Sequence, residues 1–140
     1  MAPADLDIVR EFIAGLRASG HDMDLLRDTI ERWFHPDAEW HTMRELPGGG
    51  VRRGREAVVK ELQDQWNAFD EYEPEIEDLR AVGDQAVARL TLRSTPRGVS
   101  SAVEAHVGNI YTLRAGQIYR VRAFRDPAEA FAVAEAEATA

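Results

Sequence analysis

The sequence predicts an α+β fold, in which a cone-shaped, curved and mainly antiparallel sheet packs over three helices and a short C-terminal helix follows. Two observations support this prediction. Apolar residues recur at helical spacing through most of the first half of the chain, and from Glu73 onward apolar and polar residues alternate as they do in strands. The simplest way to bury the apolar stripes of the helices is to wrap the sheet around them.

Three helices are predicted in the first half of the chain. The first two are separated at Gly20, and Asp22 is a suitable N-cap for the second. Pro36 disfavours helix in the residue before it, so the second helix should stop at His35. The third helix should extend from Arg55 to Phe69, where apolar residues again share one stripe.

Five strands are predicted, and two of the connections between them have the composition of tight hairpin turns. These turns are Gly83-Asp84 and Ala115-Gly116. Sequential hairpins of this kind indicate neighbouring antiparallel strands. The predicted strands are residues 38–43, 73–82, 85–95, 102–114 and 117–124.

The start of the last helix has a clear sequence signal. Asp126 as N-cap, Pro127 at the first helical position and Glu129 at the third are typical of a helix N-terminus. The alanine- and glutamate-rich residues 132–140 are expected to fray. Since no repeat or linker is visible, the chain is interpreted as one domain, residues 1–140, with its core in residues 5–132.

Composition and charge narrow the possible classes of function. The chain has 17 basic and 25 acidic residues and a net charge of −8, so it repels phosphate backbones and a nucleic-acid partner is not expected. It has no cysteine, which excludes disulfides and thiolate metal sites. The sequence shows no signal peptide and no run of ~18 apolar residues, so we expect a cytoplasmic location and no membrane partner.

Asn109 is the most informative single residue. On the predicted strand 102–114 it is the one strongly polar side chain on an otherwise apolar face, which also carries Tyr111. An amide that faces a core needs hydrogen-bond partners, because leaving it unpaired costs about 1–3 kcal/mol. Either the protein or a ligand supplies those partners. The second alternative implies a pocket.

Four short motifs resemble those of the SnoaL-like group of the nuclear transport factor 2-like superfamily. They occur in the order that is typical of the group and span residues 5–132. The resemblance implies the cone-shaped fold and, because members commonly pair through the outer sheet face, a homodimer. The motifs are Phe34-His-Pro-Asp-Ala-Glu-Trp40, Arg53-Gly-Arg-Glu-Ala-Val58, Tyr111-Thr-Leu-Arg-Ala-Gly-Gln-Ile118 and Phe124-Arg-Asp-Pro-Ala-Glu-Ala130.

The resemblance does not select one reaction, because the superfamily includes ketosteroid isomerases, polyketide cyclases, dehydratases and epoxide hydrolases. The aspartate base of the ketosteroid isomerases corresponds to Thr42, which cannot abstract a carbon-bound proton. Their neutral aspartic acid in the oxyanion hole corresponds to Asn109, which still donates a hydrogen bond. The acid/base aspartate of the SnoaL-type cyclases corresponds to Asp126. The resemblance therefore implies Asp126 as the catalytic carboxylate.

Each candidate site residue also has a simpler interpretation. A helix N-cap explains Asp126 completely without chemistry, and core packing explains the aromatic candidates. If a pocket exists, the amide and hydroxyl groups would orient a ligand carbonyl or hydroxyl, and the aromatic rings would form an apolar wall. The candidate ligand-binding residues are Trp40, Thr42, Trp66, Asn109, Tyr111 and Phe124.

No metal or other cofactor is expected. Zinc sites use three or four ligands, often with short paired spacings, whereas His35, His41 and His106 are scattered along the chain. The arginines of the strands are expected to pair with glutamates of neighbouring strands rather than to form a site for an acidic ligand.

Two main functional hypotheses follow, both with a small hydrophobic ligand as partner. The protein is either a cofactor-independent enzyme acting on a polyketide-, steroid- or terpenoid-like compound by proton transfer, cyclisation or isomerisation, or a binding protein without catalysis. A third hypothesis is a dimeric interaction module. A carboxylate inside the cone would favour the enzyme. The predicted inward faces of the strands carry no carboxylate. A register shift of one residue would turn Glu39, Glu75 or Glu77 into the cone.

Overall fold

Four helices and six strands form the described part of the chain. The computed structural model describes residues 3–43, 50–67, 69–96 and 98–140, and only the backbone of residues 69–71. The predicted α+β class is confirmed. The elements are α1 (Pro3–Ser19), α2 (Met23–Trp33), β1 (Phe34–His41), β2 (Val51–Arg53), α3 (Arg55–Asn67), β3 (Phe69–Val82), β4 (Gln85–Pro96), β5 (Val103–Arg114), β6 (Gln117–Phe124) and α4 (Pro127–Ala138).

The second helix is shorter than predicted. α2 ends at Trp33 rather than His35, because the backbone of Phe34 is already extended and pairs with Ile118 of β6. β1 therefore begins earlier than predicted, and its ladder with β6 is irregular across Pro36, which has no N–H to donate.

The third helix is also shorter than predicted. α3 ends at Asn67, and Phe69 belongs to β3, where its backbone pairs with Pro96 of β4. Pairing with a distant strand has therefore overridden the helical stripe that extends to Phe69 in the sequence.

The sheet curls around the helices. Its strand order is β2-β1-β6-β5-β4-β3, and all neighbours are antiparallel except β1 and β6. α3 contacts both edge strands, β2 and β3. In a flat sheet of six strands these edges would lie roughly 24 Å apart, whereas a helix is only about 10 Å across. The two edges must therefore bend towards α3, as the predicted cone requires.

The main core lies between the inner face of this sheet and α1, α2 and α3. The apolar stripes read from the sequence of these helices are the buried surfaces. Complete burial of a large apolar side chain contributes about 1.5–3 kcal/mol, so this layer is the main stabilising feature of the fold. Its fully buried residues include Phe12, Leu26, Ile30, Phe34, Val58, Ile118 and Val121.

α4 lies on the opposite, outer face of the sheet. Its Ala130 and Ala134 pack with Val87 and Ile110 in a second buried cluster. Gly108 permits this approach, because a Cβ atom built there would lie 2.7 Å from the Cβ of Ala130. Ile110 follows Asn109 on β5 and therefore faces outward, where α4 covers it and leaves it fully buried.

The C-terminal segment is helical, whereas the sequence predicted fraying from residue 132. α4 continues to Ala138. Arg122 of β6 donates hydrogen bonds to both carboxylate oxygens of Glu137, at 2.9 and 2.5 Å, and so ties the last turns of α4 to the sheet. The local composition contains no sign of this partner on β6.

Two of the strand arginines pair with glutamates of neighbouring strands, as predicted, whereas Arg122 pairs with Glu137 of α4. Arg89 donates to Glu77 at 2.8 Å, and Arg93 donates to Glu104 at 2.7 Å. These side chains are exposed, so each pair contributes about 0–1 kcal/mol.

Candidate functional site

Asn109 and Tyr111 lie side by side on the inner face of β5. Asn109 is only 6% exposed, and Tyr111 is fully buried. Nδ2 of Asn109 donates a hydrogen bond to the hydroxyl oxygen of Tyr111 at 3.1 Å. Because this oxygen accepts from Asn109, the O–H hydrogen of Tyr111 is available to a different acceptor.

Small side chains flank this pair on both neighbouring strands. Asn109 lies opposite Ala88 of β4 and Ala123 of β6, and Tyr111 lies opposite Ala86 of β4. Directly opposed residues project from the same face of a sheet. The polar atoms of Asn109 and Tyr111 therefore stand above a surface of methyl groups.

A second polar group spans the space between the two edges of the sheet. Glu61 of α3 is buried, and its Oε1 lies 3.2 Å from Nε of Arg52 on β2. Its Oε2 accepts a hydrogen bond from Nε2 of Gln65 at 3.0 Å. The Oε1 of Gln65 in turn accepts from the hydroxyl of Tyr72 on β3 at 2.9 Å. One hydrogen-bonded chain thus joins β2, α3 and β3.

Helical spacing places these polar groups on the inner side of α3. Glu61 and Gln65 are four residues apart and lie on one face of the helix. The same face carries Val58, Leu62 and Trp66, which are buried in the main core. The sequence reasoning missed Glu61, although a signal was present, namely an acidic residue inside the apolar stripe of a helix.

Both polar groups affect the pKa of Tyr72. Burial raises the pKa of the Tyr111 hydroxyl to about 12, although its hydrogen bond with Asn109 lowers it in part. Burial also raises the pKa of Tyr72, and Tyr111 and the Glu61 carboxylate raise it further. Tyr72 also packs against the buried cluster that contains Tyr111, so the two groups border one core. Both tyrosines are neutral at neutral pH.

Two of the predicted aromatic candidates lie in the same interior. Trp40 and Trp66 are 5% and 3% exposed and belong to the same buried cluster as Tyr111. Trp40 pairs with Val121 of β6, which in turn pairs with Tyr111. The structure therefore places Trp40, Trp66 and Tyr111 in one buried core, with Asn109 hydrogen-bonded to Tyr111.

Thr42 and Phe124 are placed differently. The hydroxyl of Thr42 accepts from the backbone N–H of Gly50 at 2.6 Å and donates to its carbonyl at 3.1 Å, which joins the end of β1 to the start of β2. Phe124 packs in the outer cluster with Val87 and Ile110, so it lies on the opposite face of the sheet from Asn109.

Asp126 is the N-cap of α4, as predicted. Its exposed carboxylate accepts a hydrogen bond from the backbone N–H of Ala128 at 2.9 Å, and Pro127 is the first helical residue. In the described part of the chain, no hydrogen bond joins Asp126 to Asn109 or Tyr111. The catalytic role implied for Asp126 stays a prediction.

His41 of β1 and His106 of β5 are each paired with a glutamate on the outer face. Nε2 of His41 lies 2.9 Å from Glu39, and Nδ1 of His106 lies 2.8 Å from Glu77. Within the described ranges, no three histidine, aspartate or glutamate side chains are grouped as a metal would require. No described helix is both long enough and apolar enough to cross a membrane.

Solved structures share this fold over most of the chain. TerC co-crystallised with polyporic acid has a TM-score of 0.74 at 20% identity, covering 94% of this chain and 98% of its own. A protein with a ketosteroid isomerase-like fold from Catenulispora acidiphila DSM 44928, in complex with trimethylamine, has a TM-score of 0.69 at 13% identity, covering 88% and 85%. An LEH-like epoxide hydrolase from M. tuberculosis has a TM-score of 0.66 at 17% identity, covering 92% and 83%. At these identities the likeness shows the fold alone.

The family comparison is more direct. Among curated proteins, none matches the chain significantly. The SnoaL-like domain family matches residues 9–121, which extend from α1 into β6 and form most of the chain. The resemblance stated from the four motifs is thereby confirmed, and the protein belongs to the SnoaL-like domain family.

Proposed function

We propose that the protein binds a small, mainly apolar molecule through a carbonyl or hydroxyl oxygen, at the inner face of the sheet. The observation that carries this proposal is the hydrogen bond from Asn109 to Tyr111 on a surface of alanine methyl groups. The hydroxyl of Tyr111 donates to the ligand oxygen. Asn109 strengthens that donation, because hydrogen bonds in a chain polarise one another.

The surroundings of this pair support the same type of ligand. Ligand sites are mostly apolar and contain a few polar groups that fix orientation. Trp40 and Trp66 supply apolar surface in the same interior. The co-crystallisation of TerC, which shares the fold, with polyporic acid supports binding of a small molecule by this architecture.

The proposed reaction is a cofactor-independent proton transfer, cyclisation or isomerisation of a polyketide-, steroid- or terpenoid-like carbonyl compound. The buried carboxylate of Glu61 favours an enzyme, since it lies inside the fold and is linked through Gln65 to the hydroxyl of Tyr72. The alternative is a binding protein without catalysis, which is favoured by Thr42, where the ketosteroid isomerases have their base. A dimeric interaction module is the third possibility.

We further propose a cytoplasmic homodimer that pairs through the outer sheet face. α4 covers the part of this face around Ile110. The ion pairs of Arg89 with Glu77 and of Arg93 with Glu104 lie on the outer face of β4, so the proposed contact is polar and salt-sensitive.

A binding titration tests the proposal. The fluorescent probe 2-naphthol is flat and apolar and carries one hydroxyl oxygen. We expect saturable binding to the native protein, and roughly three- to tenfold weaker binding to the Tyr111→Phe variant, since one hydrogen bond contributes about 0.5–1.5 kcal/mol.

The matched control is Tyr119→Phe, because Tyr119 packs against Arg114 and His35, away from Asn109. This variant should bind 2-naphthol as the native protein does. Absence of saturable binding, or an unchanged affinity of Tyr111→Phe, would contradict the proposal.

A further inference from the structure

The inner face of β5 carries an apolar surface that continues beyond Asn109 towards solvent. Alternation places Val107, Ala105 and Val103 on the same face as Asn109, and the pairing of β5 with β4 is regular over this stretch. Exposure rises along the line, from 7% at Val107 to 47% at Val103. The surface therefore begins in the core and ends in open solvent.

Two rows of apolar residues extend this surface across β3 and β4. Together with Val103 we call them the apolar track. Neither row contains a charged residue, whereas Arg93 and Glu104, on the outer face of the same strands, form an ion pair. The rows are Ile76, Leu90 and Val107, followed by Pro74, Leu92 and Ala105.

The end of β6 leaves a gap beside the apolar track. In the described part of the chain, β6 pairs with residues 108–114 of β5, and its last residue, Phe124, lies opposite Gly108. The chain then continues to α4 on the outer face. Residues 103–107 of β5 therefore border an opening in the sheet, and Asn109 lies next to its inner end.

The size and exposure of the apolar track indicate what could cover it. Of the four large apolar side chains that are exposed among the described residues, two, Val99 and Val103, lie at this end of β5. From the spacings of strands and residues, the track measures roughly 10 by 13 Å, or about 130 Å². A stable interface with another protein buries about 800 Å² on each partner. The track is therefore too small for a second copy of this chain and fits part of a small molecule.

We propose that the apolar track binds an unbranched alkyl tail of the ligand whose oxygen is held by Tyr111. This inference rests on the proposed function, because the oxygen must first bind at Tyr111. The ligand class is then an elongated, lipid-like alcohol or carbonyl compound. Its polar end lies inside the fold, and its tail leaves through the gap beside β5.

The length of the apolar track determines which probes distinguish its two ends. Ala105 lies about 13 Å from Asn109 along the strand, and Val103 lies about 20 Å from it. With bonds of about 1.5 Å, the extended chain of 1-dodecanol reaches about 15 Å and that of 1-hexanol about 7 Å. The long alcohol therefore passes Ala105, whereas the short alcohol ends near Val107.

The test measures both alcohols as competitors of the fluorescent probe 2-naphthol. Each buried CH₂ group strengthens binding about fourfold. We therefore expect the native protein to bind 1-dodecanol at least about 100-fold more tightly than 1-hexanol. Affinities within about threefold of each other would overturn the proposal.

The variant Ala105→Asp tests where the tail lies. Ala105 is exposed, so the substitution leaves the core unchanged, but it places a charge that the tail would remove from water. We expect at least about tenfold weaker binding of 1-dodecanol, with 1-hexanol and 2-naphthol within about twofold of native. Native affinity for 1-dodecanol would overturn the proposal.

The matched control is Val51→Asp. Val51 is 43% exposed and lies on β2, where it pairs with His41 away from the apolar track. This variant also adds one negative charge at an exposed apolar position, and it should bind both alcohols as the native protein does.

A second variant covers the case in which Ala105→Asp does not fold. Val103→Asp changes an exposed side chain at the far end of the apolar track. Its probe is 1-tetradecanol, whose chain reaches about 18 Å. Binding should weaken at least about threefold, since a CH₂ group or more loses its apolar contact. Native affinity for 1-tetradecanol would contradict the proposal.

The outcomes separate this inference from the proposed function. Native protein that binds 2-naphthol without a gain from chain length would overturn the tail site alone. Failure to bind 2-naphthol would overturn the proposed function and the tail site with it. If Ala105→Asp dissociates a native dimer in analytical ultracentrifugation at unchanged alcohol affinities, the apolar track belongs to a contact between copies and the proposal is overturned.

Discussion

The amide of Asn109 donates a hydrogen bond to the hydroxyl of Tyr111, two residues further along the same strand. Strand alternation places both side chains on the inner face, where neighbouring strands contribute alanines. The protein itself therefore supplies one partner for the Asn109 amide. The hydroxyl hydrogen of Tyr111 is therefore available to an acceptor other than Asn109. In the proposed function, that acceptor is the carbonyl or hydroxyl oxygen of the ligand.

Alkaline pH should destabilise the fold through Tyr111. Its pKa in the fold, about 12, exceeds the value of about 10 in an unfolded chain. The folded state therefore favours the neutral hydroxyl, and this stabilisation is complete below pH 10 and lost as the pH rises towards 12. Urea unfolding followed by tryptophan fluorescence between pH 8 and 12 measures this loss of unfolding free energy.

The matched variant for this prediction is Tyr111→Phe, which cannot ionise at this position. Its unfolding free energy should fall less steeply above pH 10 than that of the native protein. Equal slopes in the two proteins would contradict a coupling between Tyr111 ionisation and folding.

The substitution Gly108→Ala should weaken the packing of α4 on the sheet. A Cβ atom at this position would lie 2.7 Å from the Cβ of Ala130 and 2.8 Å from the Cα of Pro127. Since Pro127 contributes backbone, the helix must shift, and overpacking of this kind typically costs about 1–3 kcal/mol. Urea unfolding measures the loss. The loss should be smaller in an Ala130→Gly background, and no coupling between the two substitutions would be the contrary result.

The capping role of Asp126 predicts different effects for two substitutions. Asp126→Ala removes the acceptor for the N–H of Ala128 and should lower the unfolding free energy by about 0.5–2 kcal/mol. Asp126→Asn should stay near the native stability, because asparagine caps helices as well as aspartate does.

The same Asp126→Asn variant tests the catalytic role implied by family resemblance. If Asp126 is an acid/base group, this variant must lose any acceleration of α-hydrogen exchange that the native protein gives with the ketone 2-tetralone in deuterium oxide, at native stability. A native rate of exchange would show that Asp126 acts as a cap alone.

Acid should release the last turns of α4 from the sheet. The hydrogen bond from Arg122 is the main reason that the pKa of Glu137 is lowered in the fold. A group with a lowered folded pKa stabilises the fold above its unfolded value of about 4.3, and loses that contribution as the pH falls through the folded value. Carboxyl NMR titration should show Glu137 ionising at lower pH than the value of about 4.3 for an unfolded chain.

Arg122→Gln should remove most of this difference by shifting the titration of Glu137 upwards. In the native protein, amide hydrogen exchange of the α4 C-terminal turn should also become faster as Glu137 is protonated. A titration of Glu137 that does not respond to Arg122→Gln would refute the role of this ion pair.

Features that depend on nearby residues could be predicted from the sequence. The N-caps Asp22 and Asp126 are observed, with the hydrogen bonds expected of them. The hairpin turns at Gly83 and Gly116 also occur as predicted, and both glycines have the positive φ angles that such turns require. All of these features are specified within a few residues of chain.

Phe124 shows where the alternation pattern fails. Counting alternate residues from the inward Ile118 would place Phe124 inward too. In β6, however, Ile118 opposes Leu113 whereas Arg120 opposes Thr112, so one extra residue is inserted at Tyr119. This bulge reverses the phase of the strand, and Phe124 faces α4 instead of Asn109. The positions of bulges are decided by pairing with other strands.

Glu61 shows that the sequence pattern also fails to predict which residues meet at the candidate site. Its place in the apolar stripe of α3 is visible in the sequence, but its partner Arg52 lies on β2, and Tyr72, at the other end of the chain of hydrogen bonds, lies on β3. These residues meet only because the sheet curls until both of its edges touch α3. Periodicity within one element contains no information about that meeting.

The sequence by itself determined the α+β class, the order of the main elements, the family and the inward position of Asn109 and Tyr111, because these follow from local spacing and from short motifs. The tertiary structure alone decided that α4 covers Ile110, that Phe124 turns outward and that Glu61 is linked through Gln65 to the hydroxyl of Tyr72. These outcomes depend on which faces pack together and on the register between distant strands, and both are set by contacts between residues far apart in the chain.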